Sequence, residues 1–277
     1  MTASGGSAAT VQEFKTIAQA MGVDLVGVAP VERFAIFSPE ANPLSIQPLT
    51  RSVIVLGFSI PRGALQGMET GSASYTLGMG IPVSVAVETT YLLCRRLETA
   101  GWEATPLFRQ AGDMRRQGVR VSPDKPEPNV ILEFDFAAHA AGLGEVGRGK
   151  WLLTPEFGPR QILTIILTDA DMQPDAPFSG SVCDNCGACA AACPAGALDS
   201  TRLHRAPLCE GEADWYPLHI ESCRVCQTGT TKLPYSSGSE PFRLGAACGR
   251  ACVAHLEDSG KLTRKFASPF RPPKEQE

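Results

Sequence analysis

Apolar residues recur at helical spacing in two segments of the first hundred residues. In residues 11–21 and 83–100 they stand at intervals of three and four, which predicts amphipathic helices. Short, continuous apolar or β-branched runs predict strands at residues 24–29, 52–60, 102–108 and 161–168. This alternation continues to about residue 175 and indicates an α/β domain with a mixed sheet.

Other segments lack a clear period. Residues 63–80 are rich in Gly, Ser and Met, which predicts a long loop over a cavity. The prolines in residues 122–129 predict a connecting segment without regular structure. Residues 130–141 have helical character before Gly142. Cys94 falls inside the second predicted helix, where a cysteine is normally a small buried core residue.

The composition fits a folded protein with one large domain or two ordinary ones. The chain has 277 residues, of which 43% are hydrophobic and 19% charged, and its formal net charge is -4. Without a long basic run, nucleic acid is an unlikely partner. Residues 1–10 carry no signal-peptide pattern, and no apolar stretch reaches about 18 residues. We therefore expect a cytoplasmic protein with no membrane partner.

The cysteines carry the strongest chemical signal. The chain has 10 of them, and all except Cys94 lie between Cys183 and Cys252. In a reducing compartment this density favours metal binding over disulfides. From Cys183 to Pro194 the spacing is Cys-x2-Cys-x2-Cys-x3-Cys-Pro, the bacterial iron–sulfur pattern, whose fourth cysteine ligates a second cluster. Zinc sites normally use two separated pairs instead. The run therefore predicts two [4Fe-4S] clusters.

A second, interrupted run supplies further ligands. Cys223-x2-Cys226 is followed, after 21 residues, by Cys248-x3-Cys252. If each Cys-x3-Cys pair is split between the clusters, two sets of four result. The first cysteine set is Cys183, Cys186, Cys189 and Cys252, and the second cysteine set is Cys193, Cys223, Cys226 and Cys248. Cys209 is left over and remains an alternative ligand.

These patterns predict two domains. Residues 1–175 form the α/β domain, which holds a cofactor and the substrate. Residues 176–277 form a bacterial two-cluster ferredoxin-like module of the α+β class. The insertion at residues 227–247 is expected to be a surface loop whose roots lie beside the second cluster.

A glycine-rich segment precedes the cysteines. Gly142, Gly144 and Gly147 allow a ligand or a turn to approach the backbone closely. A helix C-cap and a glycine turn, with Glu145 and Arg148 as a surface pair, explain the same residues. The Gly-x-Gly-x-x-Gly spacing follows a helical segment rather than a strand, so we do not interpret it as a dinucleotide-binding turn.

Two motifs extend this segment into a family resemblance. Ala141-Gly-Leu-Gly-Glu-x-x-Arg148 and Thr154-Pro-Glu-Phe-Gly-Pro159, followed by the cysteine runs, resemble the corrinoid-dependent reductases, namely reductive dehalogenases and epoxyqueuosine reductases. The resemblance covers about residues 10–260. It implies an iron–sulfur oxidoreductase whose two clusters pass electrons to a cofactor and a small-molecule substrate. Cobalamin is the favoured cofactor, and a flavin is its rival.

The resemblance also assigns residues and partners. It implies that Gly142, Gly144, Gly147 and Arg148 bind the cofactor, and that Arg148 contacts an anionic group. An electron-donor protein such as ferredoxin or flavodoxin is implied as well. Pro128 stands where the epoxyqueuosine reductases place an acidic proton donor. The catalytic residues are therefore unassigned, and the candidates are Arg148, Glu145, Asp135 and Tyr75.

A second function class fits the same sequence. The chain could be a non-catalytic electron-transfer or corrinoid-reactivating protein of ferredoxin type, which docks on its partner through residues 227–247. A regulatory protein whose clusters sense redox state is a third possibility.

Overall fold

The structure, a computed structural model, describes residues 8–66, 73–110, 116–120, 122–126, 128–226, 231–232, 241–243 and 246–270. The α-helices in these residues are α1 (Ala8–Ala20), α2 (Arg62–Gln66), α3 (Ala73–Thr99), α4 (Phe134–Ala140), α5 (Ala188–Ala191), α6 (Ile220–Arg224) and α7 (Ala247–Asp258). The strands are β1 (Leu25–Pro30), β2 (Ser52–Ser59), β3 (Ala104–Phe108), β4 (Glu145–Val146), β5 (Leu152–Leu153), β6 (Gln161–Thr168), β7 (His204–Pro207), β8 (Glu212–Trp215), β9 (Thr231–Lys232) and β10 (Pro241–Phe242).

A four-stranded sheet in the order β1-β2-β6-β3 forms the centre of the fold. All of its neighbouring pairs are antiparallel, so the expectation of a mixed sheet is wrong. Strands β2 and β3 do run parallel, as two strands joined by a helix should, but β6 lies between them and antiparallel to both. The result is a split β-α-β unit. The insertion of a later strand cannot be read from the local pattern.

Both faces of the sheet are covered, which explains the continuous apolar runs of its strands. Ile54 and Ile166 on one face pack with residues of α1 and α3, including Phe14 and Leu93. On the other face, residues such as Val55 and Ile165 pack with α4. Cys94 belongs to the first of these clusters, and burial raises the pKa of its thiol to about 12. It is a core residue, as expected.

The segment at residues 63–80 is not the expected loop. Its described residues belong to α2 and to the start of α3, which contains Pro82 in its interior. A Cβ placed on Gly78 would lie 2.9 Å from the Cβ of Ala64, so the glycine lets the two helices approach each other. This contact is tertiary and leaves no period in the sequence. The other predicted helices and strands are present, although α4 begins only at Phe134.

The last helix packs on the first part of the chain. Val253 of α7 shares a buried apolar cluster with Ile60 and Leu65. Beside this cluster, Nε and Nη2 of Arg62 donate to the carboxylate of Glu257 at 2.8 to 3.0 Å. The cysteine-rich segment is thus fixed against the sheet domain, and the boundary near residue 175 stays a prediction. None of the described helices combines the length and apolarity needed to cross a bilayer.

Candidate metal centre

The first cysteine set meets in one cleft. The walls of this cleft include Cys183, Cys186, Cys189 and Cys252. Cys183 and Cys186 lie in the loop before α5, Cys189 lies on α5, and Cys252 lies on α7. Since α5 packs against α7, thiols that are far apart in the chain become neighbours. Apolar walls from Trp151, Leu153 and Leu256 complete the cleft.

Three cysteines of the second set, Cys193, Cys223 and Cys248, are neighbours in the structure. Burial, together with the nearby thiols of Cys193 and Cys223, raises the pKa of Cys248 to about 11. Cys226 follows α6, and its backbone N–H donates to the carbonyl of Cys223 at 3.2 Å. Helix α7 therefore carries Cys248 toward the second set and Cys252, four residues later, toward the first. This division matches the split of the Cys-x3-Cys pair that the sequence predicts.

The donor chemistry of the first set fits an iron–sulfur cluster. Burial raises the pKa of Cys189 to about 11 and raises the pKa of Cys252 well above its usual value. Thiols in such apolar surroundings become thiolates when a bound metal supplies the compensating charge. Four sulfur donors in a compact site select soft metals and iron–sulfur clusters over hard cations. In the second set, the backbone N–H of Ala197 already donates to Sγ of Cys193 at 3.2 Å.

Cys209 lies in different surroundings. It packs against the apolar cluster that contains Phe34 and Ala140, beside the sheet. Burial raises the pKa of its thiol, and the charge of Arg33 opposes that change. The structure thus places Cys209 with the core of the first domain, and its role as a substitute ligand stays an untested alternative.

The three glycines are explained by contacts within the chain. Helix α4 ends in a Schellman motif, in which the N–H of Gly142 donates to the carbonyl of His139 and that of Leu143 donates to Ala138. Gly142 has a φ of 80°, as this motif requires. A Cβ on Gly144 would clash with the carbonyl of Leu153, and one on Gly147 would lie 2.6 Å from Cδ1 of the same leucine. The expected C-cap and turn are present, and the groups that closely approach these glycines belong to other parts of the same chain.

Glu145 and Arg148 do not form the expected surface pair. The partly buried carboxylate of Glu145 accepts hydrogen bonds from the backbone N–H groups of Val182 and Cys183. Nε of Arg148 donates to Oδ1 of Asn185 at 2.7 Å. Asn185 has a φ of 62°, a left-handed conformation that needs support in a residue other than glycine. Both side chains therefore hold the loop that carries Cys183.

The two remaining catalytic candidates are Asp135 and Tyr75. Asp135 pairs with Arg109 at 2.9 Å and accepts a hydrogen bond from the N–H of Leu152, so it ties α4 to β5. Tyr75 lies near the start of α3, and its side chain falls outside the described part of the structure.

The sequence pattern alone does not single out two residues of the site. Asp184 stands between the first two cysteines, and its Oδ2 lies 2.7 Å from Nε2 of His255 at the cleft. Trp151 packs beside Cys252 and lines the same cleft. The only sequence signals were the position of Asp184 inside Cys-x2-Cys and the closeness of Trp151 to the Thr-Pro-Glu-Phe-Gly-Pro motif.

Replacing Glu145 with leucine should loosen the loop of the first set. The change removes the acceptor of two N–H groups, and each buried donor left without a partner costs about 1–3 kcal/mol. We expect iron to be lost to a chelator faster than from the wild type, at equal initial loading. The Glu145→Gln variant keeps one carbonyl acceptor and should lie between the two. Equal rates for all three proteins would show that Glu145 does not support this loop.

Comparisons with known proteins agree with this geometry. A family model described as a 4Fe-4S binding domain matches residues 177–199. The tetrachloroethene reductive dehalogenase of Dehalobacter restrictus is 28% identical over 239 residues, which cover 84% of this chain and 35% of that protein. The epoxyqueuosine reductase of Listeria monocytogenes is 39% identical over 61 residues, which cover 22% of this chain and 16% of that protein. The chain is therefore similar in sequence to both groups of reductases.

A solved structure supports the same placement at the level of the fold. A reductive dehalogenase studied for B12-dependent dehalogenation superposes on 91% of this chain and 33% of its own length, with a TM-score of 0.59 and 21% identity. The chain therefore shares the fold of that part of the solved dehalogenase. It spans about a third, or less, of the length of the relatives described above.

Proposed function

We propose that this protein is an iron–sulfur reductase with two [4Fe-4S] clusters, one on each cysteine set. The observation that carries the proposal is the position of α7, which contributes Cys248 to one set and Cys252 to the other. Two clusters sharing one helix would lie close together, as a relay for electrons requires. A bound [4Fe-4S] cluster supplies one-electron transfer at a potential that its surroundings set.

The surrounding residues would hold the clusters and keep water away. Glu145 and Arg148 fix the loop of Cys183, and Leu153 and Leu256 line the cleft with apolar surface. The short helix α5 is made of alanines and one cysteine, so its backbone can approach a cluster without obstruction by long side chains. Asp184 and His255 pair beside the cleft.

We propose a corrinoid as the second cofactor, with a flavin as the rival. The support comes from the relatives, since the solved dehalogenase is described in connection with B12-dependent dehalogenation. The predicted binding residues are Gly142, Gly144, Gly147 and Arg148, and their role toward the corrinoid stays a prediction. The Cβ positions of the three glycines face the chain's own atoms, so a corrinoid would meet this segment from another side. No reaction step is derived through the corrinoid.

The substrate and the electron donor are also proposed by class. The reductases related to this chain support a small-molecule substrate and a protein donor such as ferredoxin or flavodoxin. An epoxyqueuosine reductase is known with a modified tRNA stem loop. The expectation that nucleic acid is not a partner is therefore not carried forward.

Cofactor binding tests the reductase proposal. Protein loaded anaerobically with iron and sulfide should change the absorption and EPR spectra of added cob(II)alamin, because a corrinoid held by protein loses its free-solution environment. Added flavin mononucleotide serves as the comparison. Binding of the flavin alone would replace the corrinoid in the proposal, and binding of neither would favour a different function.

That different function is a non-catalytic electron carrier or corrinoid-reactivating partner. The close packing of Gly144 and Gly147 against Leu153 favours it, since this packing explains both glycines without a cofactor. Its expected docking loop, residues 227–247, lies mostly outside the described residues, apart from the β9–β10 pair and a few neighbours. Loaded protein that transfers electrons to a corrinoid enzyme, without binding a corrinoid itself, would establish this alternative.

A further inference from the structure

Arg243 precedes α7 and adjoins the second cysteine set. Its carbonyl oxygen accepts a hydrogen bond from the N–H of Ala246 at 2.9 Å and lies 3.9 Å from Sγ of Cys248. Its guanidinium carbon lies 4.7 Å from the centroid of the Trp151 ring, and Nη2 donates to the carbonyl of Gly149 at 2.5 Å. These contacts fix a positive charge close to a proposed cluster ligand.

The indole of Trp151 stands between this charge and the first cysteine set. Trp151 lines the cleft of the first set, whereas Arg243 is not among the described residues that line it. Trp151 also packs against the apolar cluster that contains Cys248. The guanidinium therefore lies behind a wall of the first cleft, and the backbone of the same arginine contacts a cysteine of the second set.

One nitrogen of the guanidinium still needs an acceptor. Nη1 is buried, and none of the described residues accepts a hydrogen bond from it. Buried polar groups are normally hydrogen-bonded, and a buried cationic N–H most of all. A [4Fe-4S] cluster on the second set would bring negative charge and sulfur acceptors into the neighbourhood of this nitrogen.

We propose that Arg243 makes the cluster on the second cysteine set the easier of the two clusters to reduce. The inference rests on the two clusters of the proposed function. Reduction adds one electron, taken from the donor protein, to a cluster that its thiolates already make negative. A fixed guanidinium stabilises the more negative state, and its partly buried position limits screening by water.

The exposure of the cysteines gives the relay a direction. Cys186 of the first set is exposed, whereas Cys223 and Cys248 of the second set are each only 6% exposed. A donor protein can therefore approach the first set more closely. An electron that enters there would move to the second cluster with a favourable change in free energy. Arg243 is thus proposed as a tuning residue, which acts on a cluster and contacts no substrate.

The Arg243→Gln variant tests this role directly, because glutamine keeps N–H donors but removes the charge. In a redox titration of loaded protein followed by EPR, the step that Cys248→Ala abolishes should move to lower potential, and the other step should move less. We expect a tenfold fall in the equilibrium constant for electron transfer from the first to the second cluster, which corresponds to about 59 mV. Arg51→Gln is the matched control, since it removes an exposed charge paired with Asp171 and should leave both steps unchanged.

The Arg243→Lys variant separates charge from packing. Lysine keeps the positive charge but loses the planar guanidinium that stacks on Trp151. It should therefore restore most of the potential that Arg243→Gln loses. Equal shifts in the two variants would show that Arg243 acts only through the packing of its side chain. If neither step of fully loaded Arg243→Gln protein moves, or if both steps move equally, the inference is wrong.

The test distinguishes this inference from the proposed function. Wild-type protein without two reduction steps would contradict the two-cluster proposal itself. If Arg243→Gln fails to load, the order of the two steps in wild-type protein decides the matter. The step at higher potential should be the one that Cys248→Ala removes, and the reverse order would overturn the role of Arg243.

Discussion

Replacing Cys252 with alanine is expected to lower the iron content from about eight to between about four and seven atoms per chain, because one of two [4Fe-4S] clusters loses a ligand. Cys252 is the cysteine that α7 contributes to the first set, and it lines the same cleft as Cys183 and Cys189. The damaged cluster should be lost or reduced to three irons, while the second set keeps its complete cluster. Iron and sulfide analysis with EPR quantitation measures the change.

Cys209→Ala is the matched control. Its thiol packs against the core beside the sheet, near Arg33, so its removal should leave about eight irons per chain. The Cys248→Ala variant should damage the other cluster and leave the signal that Cys252→Ala removes. Loss of a cluster in Cys209→Ala, with full iron in Cys252→Ala, would overturn the assignment of the two sets.

The Arg62→Met variant should destabilise the protein strongly. The side chains of Arg62 and Glu257 are only 9% and 10% exposed, so the change leaves a buried carboxylate without its partner. Such a loss typically costs about 3–5 kcal/mol. For a chain of this size, the melting temperature of loaded protein should fall by on the order of 10 °C. Since this pair joins α2 to α7, faster iron loss should accompany the lower melting temperature.

An exposed ion pair supplies the control. Arg51 and Asp171 lie 2.6 Å apart, but their side chains are 60% and 57% exposed. Water screens such a pair, so Arg51→Met should cost no more than about 1 kcal/mol. Similar melting temperatures for Arg51→Met and Arg62→Met would mean that the buried pair does not hold α7 in place.

The parts of the fold that the sequence predicts are those with a local period or a fixed spacing. Strand β2 is a continuous apolar run because both of its faces are covered, and α1 shows its apolar stripe. The Cys-x3-Cys pair of α7 predicts a split between two sets, because the fourth cysteine of the bacterial iron–sulfur pattern ligates the other cluster. These features need no knowledge of distant contacts.

The parts that the sequence does not predict depend on distant contacts. Gly78 lies in α3 where this helix closely approaches Ala64 of α2. Strand β6 lies between β2 and β3 in the sheet, although it follows both of them in the chain. In the sequence, the glycines at 142–147 fit a cofactor cradle or a turn. The contacts that explain them as a turn, with Leu153 and Ala176, lie outside the local pattern. The packing of Trp151 beside Cys252 likewise joins residues about a hundred positions apart.

Metal and sulfide analysis combined with Mössbauer spectroscopy of anaerobically purified, ⁵⁷Fe-labelled protein tests the central claim most directly. Two clusters on the two cysteine sets predict about eight irons and about eight sulfides per chain, with all of the iron in [4Fe-4S] clusters. About four irons per chain, or zinc in place of iron, would contradict the account.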